Sequence, residues 1–141
     1  MIGMILAHVN VKRLVWTTLC VFGFIFAINF LIHGVCLKDS YMQMAQLWRP
    51  EAEMNAKMLW MLLGQFVIAK AFCVIFALGY EGKGIGEGIR YGVLMGSFSA
   101  GPFFINYAVS PIPQCLMWCW IAGVIAQCIG SGIVASLVYK K

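Results

Sequence analysis

Residues 14–37 read LVWTTLCVFGFIFAINFLIHGVCL, a run without a single formal charge. About 20 apolar residues in helical form cross a hydrocarbon layer roughly 30 Å thick, so this stretch by itself predicts a membrane span. It outruns the roughly 7–15 apolar residues of a secretory signal and is followed by no A-x-A site, so the sequence predicts that it stays in the membrane. Lipid offers no partner to backbone N–H and C=O groups, which a span must satisfy within itself; the predicted form is therefore a helix. The same test finds three further stretches: 58–79, interrupted by the charge of Lys70; 91–109, which contains Pro102; and 115–138.

The whole chain agrees with its first span. Of 141 residues, 62% are hydrophobic and 11% charged, against about 45–50% and about 25% in soluble domains. A core this small has too little interior to hide so many apolar side chains. That composition excludes a water-soluble globule, a disordered chain and a nucleic-acid binder. The net charge of +5 is spread thinly, with no basic run longer than the pairs Lys12-Arg13 and Lys140-Lys141. It reads as a topology signal. Lys12, Arg13, Lys83, Arg90, Lys140 and Lys141 fall on one side of a four-span chain, Lys38, Arg49 and Lys57 on the other, which predicts both termini in the cytoplasm. Trp16, Trp48, Trp60, Tyr80, Tyr91, Tyr107, Trp118 and Tyr139 stand near the span boundaries, as in an interfacial aromatic belt.

Two loops carry structure of their own. Between the first two spans, Asp39-Ser40 can cap a short amphipathic helix with Tyr41, Met44, Ala45 and Trp48 on one face and Gln43, Gln46 and Arg49 on the other. The pattern predicts a segment lying flat on the outer surface. Pro50 followed by Glu51 and Glu53 then suits a helix start. Between the second and third spans, Gly84-x-Gly86-x-Gly88 beside Lys83 invites comparison with a phosphate loop. It lacks the Gly-Lys-Ser/Thr ending and a preceding strand, and the reading preferred here is a flexible connector.

The halves of the chain align. Phe26-x-Ile28-Asn29-Phe30 matches Phe103-x-Ile105-Asn106-Tyr107, and Met58, Gly64, Leu78 and Tyr80 match Met117, Gly123, Leu137 and Tyr139. The predicted architecture is an all-α integral membrane protein of one domain, four transmembrane helices arranged as two tandem similar hairpins, related by an axis along the membrane normal. The stretch 87–96, then Pro102 and Asn106, then Ile121-Ala122-Gly123 and Gly132-Ile133-Val134, resembles the second half of small four-helix bacterial inner-membrane proteins of unknown function. Residues 48–54 are similar to a segment in some of them. The resemblance implies a four-helix bundle in a bacterial inner membrane and brings no activity with it.

Small residues are the densest pattern. Gly88, Gly92, Gly96 and Ala100 recur every fourth position in the third span, and Ala122, Ala126 and Gly130 in the fourth. Such rows let helix backbones approach closely in lipid; they predict packing inside the bundle, or docking of a neighbouring subunit. The polar residues singled out inside spans are Asn29, His33, Lys70, Asn106 and Gln127. Lys70 has no Asp or Glu in any predicted span to pair with. Its choices are to snorkel, to lose its proton, to meet carbonyls freed by Pro102, or to meet an anion. His33, Cys36, Met42 and Met44 raise the weaker reading of a Cu(I) or thiol-redox site on the outer face, and Cys36 with Cys115 that of an outer disulfide. No catalytic constellation and no cofactor site is predicted. The expected function is a non-enzymatic packing or accessory subunit, whose partners are the bilayer and other membrane helices, in a homo-oligomer or a larger complex. The rival is a small-solute or anion carrier or channel working as an oligomer.

Overall fold

The structure is a computed structural model and describes residues 9–140; His8 and Lys141 lie outside the described residues. The described residues hold no strand. Three helices are long and apolar enough to cross a membrane: Val11–Cys36, Met58–Leu78 and Gln114–Val138. In chain order the elements are α1 (Val11–Asn29), continued by a π-helical segment (Phe30–Cys36), then α2 (Lys38–Gln43) and a 3-10 turn (Ala45–Leu47). They are followed by α3 (Glu51–Ala56), α4 (Met58–Leu78), α5 (Ile85–Val109) and α6 (Gln114–Val138).

The fourth predicted span lies in α5. The helix is long enough, at 25 residues, but its apolar character is diluted. Glycines, serines, Pro102 and Asn106 replace the branched side chains that carry hydropathy in the other three. Those same small residues make α5 and α6 the most closely packed pair. α1 packs on both α6 and α4, while α4 touches α6 only lightly. α6 is thus the central helix, burying residues on several sides, among them Met117, Ile121, Gln127, Cys128, Gly132 and Ala135.

The two ends of the bundle are closed differently. At one end the start of α1, the loop 79–84 and the end of α6 meet. Asn10 caps α1 by accepting from the Arg13 N–H (3.1 Å), and its own N–H donates to the Tyr139 hydroxyl (3.2 Å). Tyr139 is fully buried, its ring edge-on to Tyr80 and Phe76. That is a correction: Tyr139 fills the core rather than the belt, because Phe76, Tyr80 and the Asn10 N–H close around it at the end of α6. Trp16, Trp60 and Trp118 stay exposed, as a belt requires. At the other end Leu37, Ile112, Leu116 and Trp120 form a separate cluster beneath the 37–48 segment.

That segment differs from its prediction. α2 begins at Lys38 with Leu37 in the capping position, not Asp39, and it breaks at Met44 into the 3-10 turn. Tyr41, Met44 and Trp48 turn inward as expected, joined by Leu47, whereas Ala45 is exposed. The break accounts for the exchange: a 3-10 turn advances about 120° per residue rather than about 100°. Upstream, the N–H of Leu37 reaches the carbonyl of Ile32, a five-residue bond that widens the helix end. No feature of the sequence announces that π segment.

The hairpins are not packed alike. Added Cβ atoms at Gly88 and Gly132 would collide with each other's backbone, so α5 and α6 touch main chain to main chain. In the α1–α4 hairpin, Gly64 has nothing within 4 Å of the same hypothetical atom. The sequence similarity of the halves does not extend to equal interfaces.

Candidate functional site

The α4 helix places the most consequential side chain. Its buried residues are Ala69, Phe72, Cys73, Phe76 and Ala77, all in the half nearer the loop 79–84. Before Ala69 the cover thins: Leu59, Trp60, Leu63, Val67 and Ile68 are all exposed, Leu62 and Gln65 are half-buried, and Phe66 keeps an edge-on contact with Phe22 of α1. Lys70 sits where the uncovered and covered halves meet, on the outward side. Trp60, Leu63, Val67 and Lys70 follow one another at helical three- and four-residue spacing and share one face. Among the described residues the ion pairs are Arg49–Glu53, Lys83–Glu81 and Arg90–Glu81. Lys70 belongs to none of them.

The glycine row of α5 is consumed inside the chain. An added Cβ at Gly92 would lie 2.5 Å from the Cys128 carbonyl oxygen and 2.5 Å from the Ile129 Cα; at Gly96 the nearest atom is the Ile125 Cα, 3.0 Å away. Ala100 continues the row into contact with Met117 and Ile121. On α6 the facing row is Ile125, Cys128, Gly132 and Ser136. Ala122 and Ala126 are exposed, and Gly130 receives the Phe24 ring of α1. The small residues of α6 that the sequence singles out therefore sit beside the α5 contact; four-residue spacing identifies a row but not which of two adjacent rows meets the neighbour.

At the Trp48 end, Trp120 Nε1 donates to the Tyr41 hydroxyl (2.7 Å), which lies 2.6 Å from His33 Nδ1. An indole nitrogen only donates, so the Tyr41 oxygen accepts from Trp120. Burial pushes the Tyr41 phenol above its ordinary pKa, against the lowering effect of the Trp120 bond. Trp48 stands edge-on to both Tyr41 and Trp120, and its indole N–H is buried without a partner. Beside them is a cleft of ≈ 270 Å³ lined by residues including Trp48, Asn106, Ser110 and Trp120. Asn29 is half-buried on α1 and Asn106 exposed on α5; no hydrogen bond joins them among the described residues. Gln127 is buried on α6.

The thioether and thiol groups of the soft-metal reading do not converge. Met42 is 64% exposed while Met44 packs inward beneath the aromatic cluster. His33 Nδ1 is engaged by Tyr41. Among the described residues no three His, Cys, Asp or Glu side chains gather, and all six cysteines, Cys36 and Cys115 included, are free.

The glycine-rich loop holds an anion of its own. Glu87, only 7% exposed, accepts from the backbone N–H groups of Glu81 (2.7 Å) and Lys83 (2.8 Å). Gly82 and Gly84 supply the positive φ angles, 78° and 71°, that turn those N–H groups inward. The donors a phosphate would need are spent on a carboxylate within the chain, and the connector is tied down rather than loose. Above it Glu81 pairs with Lys83 (2.6 Å), whose hydrogen bond and charge hold the Glu81 carboxyl below its ordinary range. The signal was in the sequence: Gly84 caps α5 and Glu87 is its third residue, the position from which a carboxylate reaches back over a helix start.

Compared with protein-family models, curated proteins and solved structures, the chain matches none.

Proposed function

We propose that this chain is a non-enzymatic packing or accessory subunit of a bacterial inner membrane, spanning it four times and docking other membrane helices on its α4 face. The observation that carries the reading is the thinly covered half of α4, apolar from Leu59 to Ile68 apart from Gln65 and followed by Lys70, which pairs with no acid among the described residues. A helix packed on one side over half its length leaves room for a neighbour, which in lipid is held by close packing and polar contacts rather than by the hydrophobic effect.

Two further points support the four-span part. α5 follows α6, itself long and apolar enough to cross, with near-contact of backbones from Gly88 to Gly96, so it travels the same depth. A fourth crossing also accounts for the contacts that bring Asn10, the loop 79–84 and Tyr139 together. With the Lys/Arg bias, that side is cytoplasmic. Blue-native electrophoresis of membranes solubilised in mild detergents tests the reading. The expected result is a band well above monomer mass; a monomer in every mild detergent overturns it.

A further inference from the structure

Lys70 is an expensive residue in its position. α4 is about 30 Å long at about 1.5 Å per residue, enough to cross the hydrocarbon. The Lys70 Cα lies about 12 Å from its C-terminal end and about 18 Å from its N-terminal end on the same rise. The short route to water is toward the C-terminal end. Helical Cα–Cβ bonds, however, tilt toward the N-terminus, so the side chain sets out along the long route. Snorkelling is therefore hindered by geometry, and Pro102 lies on α5, a helix that touches α4 only slightly. Charges at such depth pair with one another or with polar groups.

The chain cannot provide the counter-charge. Its five acids are Asp39, Glu51, Glu53, Glu81 and Glu87. The first three lie in α2 and α3, and Glu81 and Glu87 belong to the loop and first turn at the far end, where both are engaged. A second copy has the same acids at the same depths, so it cannot meet Lys70 either. Resting on the docking reading above, we infer that the α4 face recognises a transmembrane helix of a different protein, one carrying an Asp or Glu near the middle of its span. Lys70 selects that helix, and Leu63 and Val67, exposed on the same face, give it apolar surface to pack on.

The test uses the full-length protein in phosphatidylcholine vesicles with synthetic poly-Leu/Ala transmembrane peptides bearing a central Glu or a central Leu, association being read by energy transfer. The Glu peptide is expected to associate about five- to thirtyfold more tightly than the Leu peptide, the range for a polar contact between helices in lipid. Lys70→Met should reduce it to the Leu value, and Lys70→Glu should transfer the preference to a Lys-bearing peptide. Lys70 is exposed, so neither substitution removes core packing. Equal binding of Glu and Leu peptides, unchanged in Lys70→Met, overturns the inference while leaving helix docking intact. Binding of neither peptide overturns both. If instead the native protein, but not Lys70→Met, enriches added phosphatidylglycerol and shows no peptide preference, the counter-charge is a lipid phosphate and the inference fails.

Discussion

Replacing Gly92 by alanine tests the central interface with the smallest possible change. The new methyl would stand 2.5 Å from the Cys128 oxygen and 2.5 Å from the Ile129 Cα. Both are backbone atoms in mid-helix and cannot rotate aside. Restoring an ordinary contact of 3.4 Å means parting α5 from α6 by about 1 Å, and close-packed surfaces lose much of their dispersion attraction over such a gap. Overpacking of this kind costs about 1–3 kcal/mol. The natural control is Gly64→Ala, where the methyl meets nothing within 4 Å and alanine is the better helix former, by roughly 0.5–1 kcal/mol. Gly96→Ala should fall between the two, since its closest neighbour is at 3.0 Å. Equilibrium unfolding in mixed dodecyl maltoside and dodecyl sulfate micelles, followed by circular dichroism, gives the three values. The reasoning is refuted if Gly92→Ala is as stable as the native protein, or if Gly64→Ala loses as much.

Other outcomes follow from single groups. Glu87→Gln keeps one acceptor, loses the charge and points an amide N–H₂ at a backbone donor. The loop should loosen by about 1.5–3 kcal/mol, the value of a hydrogen bond to a charged group, seen as faster tryptic cleavage after Lys83. Glu81, held below its ordinary value of 4.5 by Lys83, contributes stability above that value and loses it as pH falls through the lower folded value. Carboxyl NMR titration should find its inflection below 4.5, and Lys83→Ala should move it back up. Tyr41, raised above 10.0 by burial, stabilises the fold fully below 10.0 and ceases to do so as pH rises through the folded value. The tyrosinate absorbance lost in Tyr41→Phe should accordingly develop above pH 10.

Several features were legible because they depend on short-range rules. The apolar runs gave α1, α4 and α6 as spanning helices, since backbone satisfaction in lipid leaves no alternative. The four-residue row of Gly88, Gly92, Gly96 and Ala100 marked one side of a helix contact, since spacing alone puts those residues on one face. Its partner row on α6 was not legible: Ala122 and Cys128 stand on different sides of the same helix, and only the neighbour's position chooses between them. The Glu87 clasp was half legible, through its place three residues into α5. The His33–Tyr41–Trp120 contact was not, because it joins residues 79 apart in sequence across a π segment that no pattern marks.

For Lys70 the division is sharpest. Sequence by itself determined that a lysine lies deep in an apolar helix and that the chain holds no acid at that depth, because both are matters of order and count. Only the tertiary structure decided that the lysine faces outward, at the edge of the well-covered half of α4. Helices choose their neighbours by which backbones can approach most closely. The glycines of α5 and α6 won that contest, leaving α4 with one side uncovered.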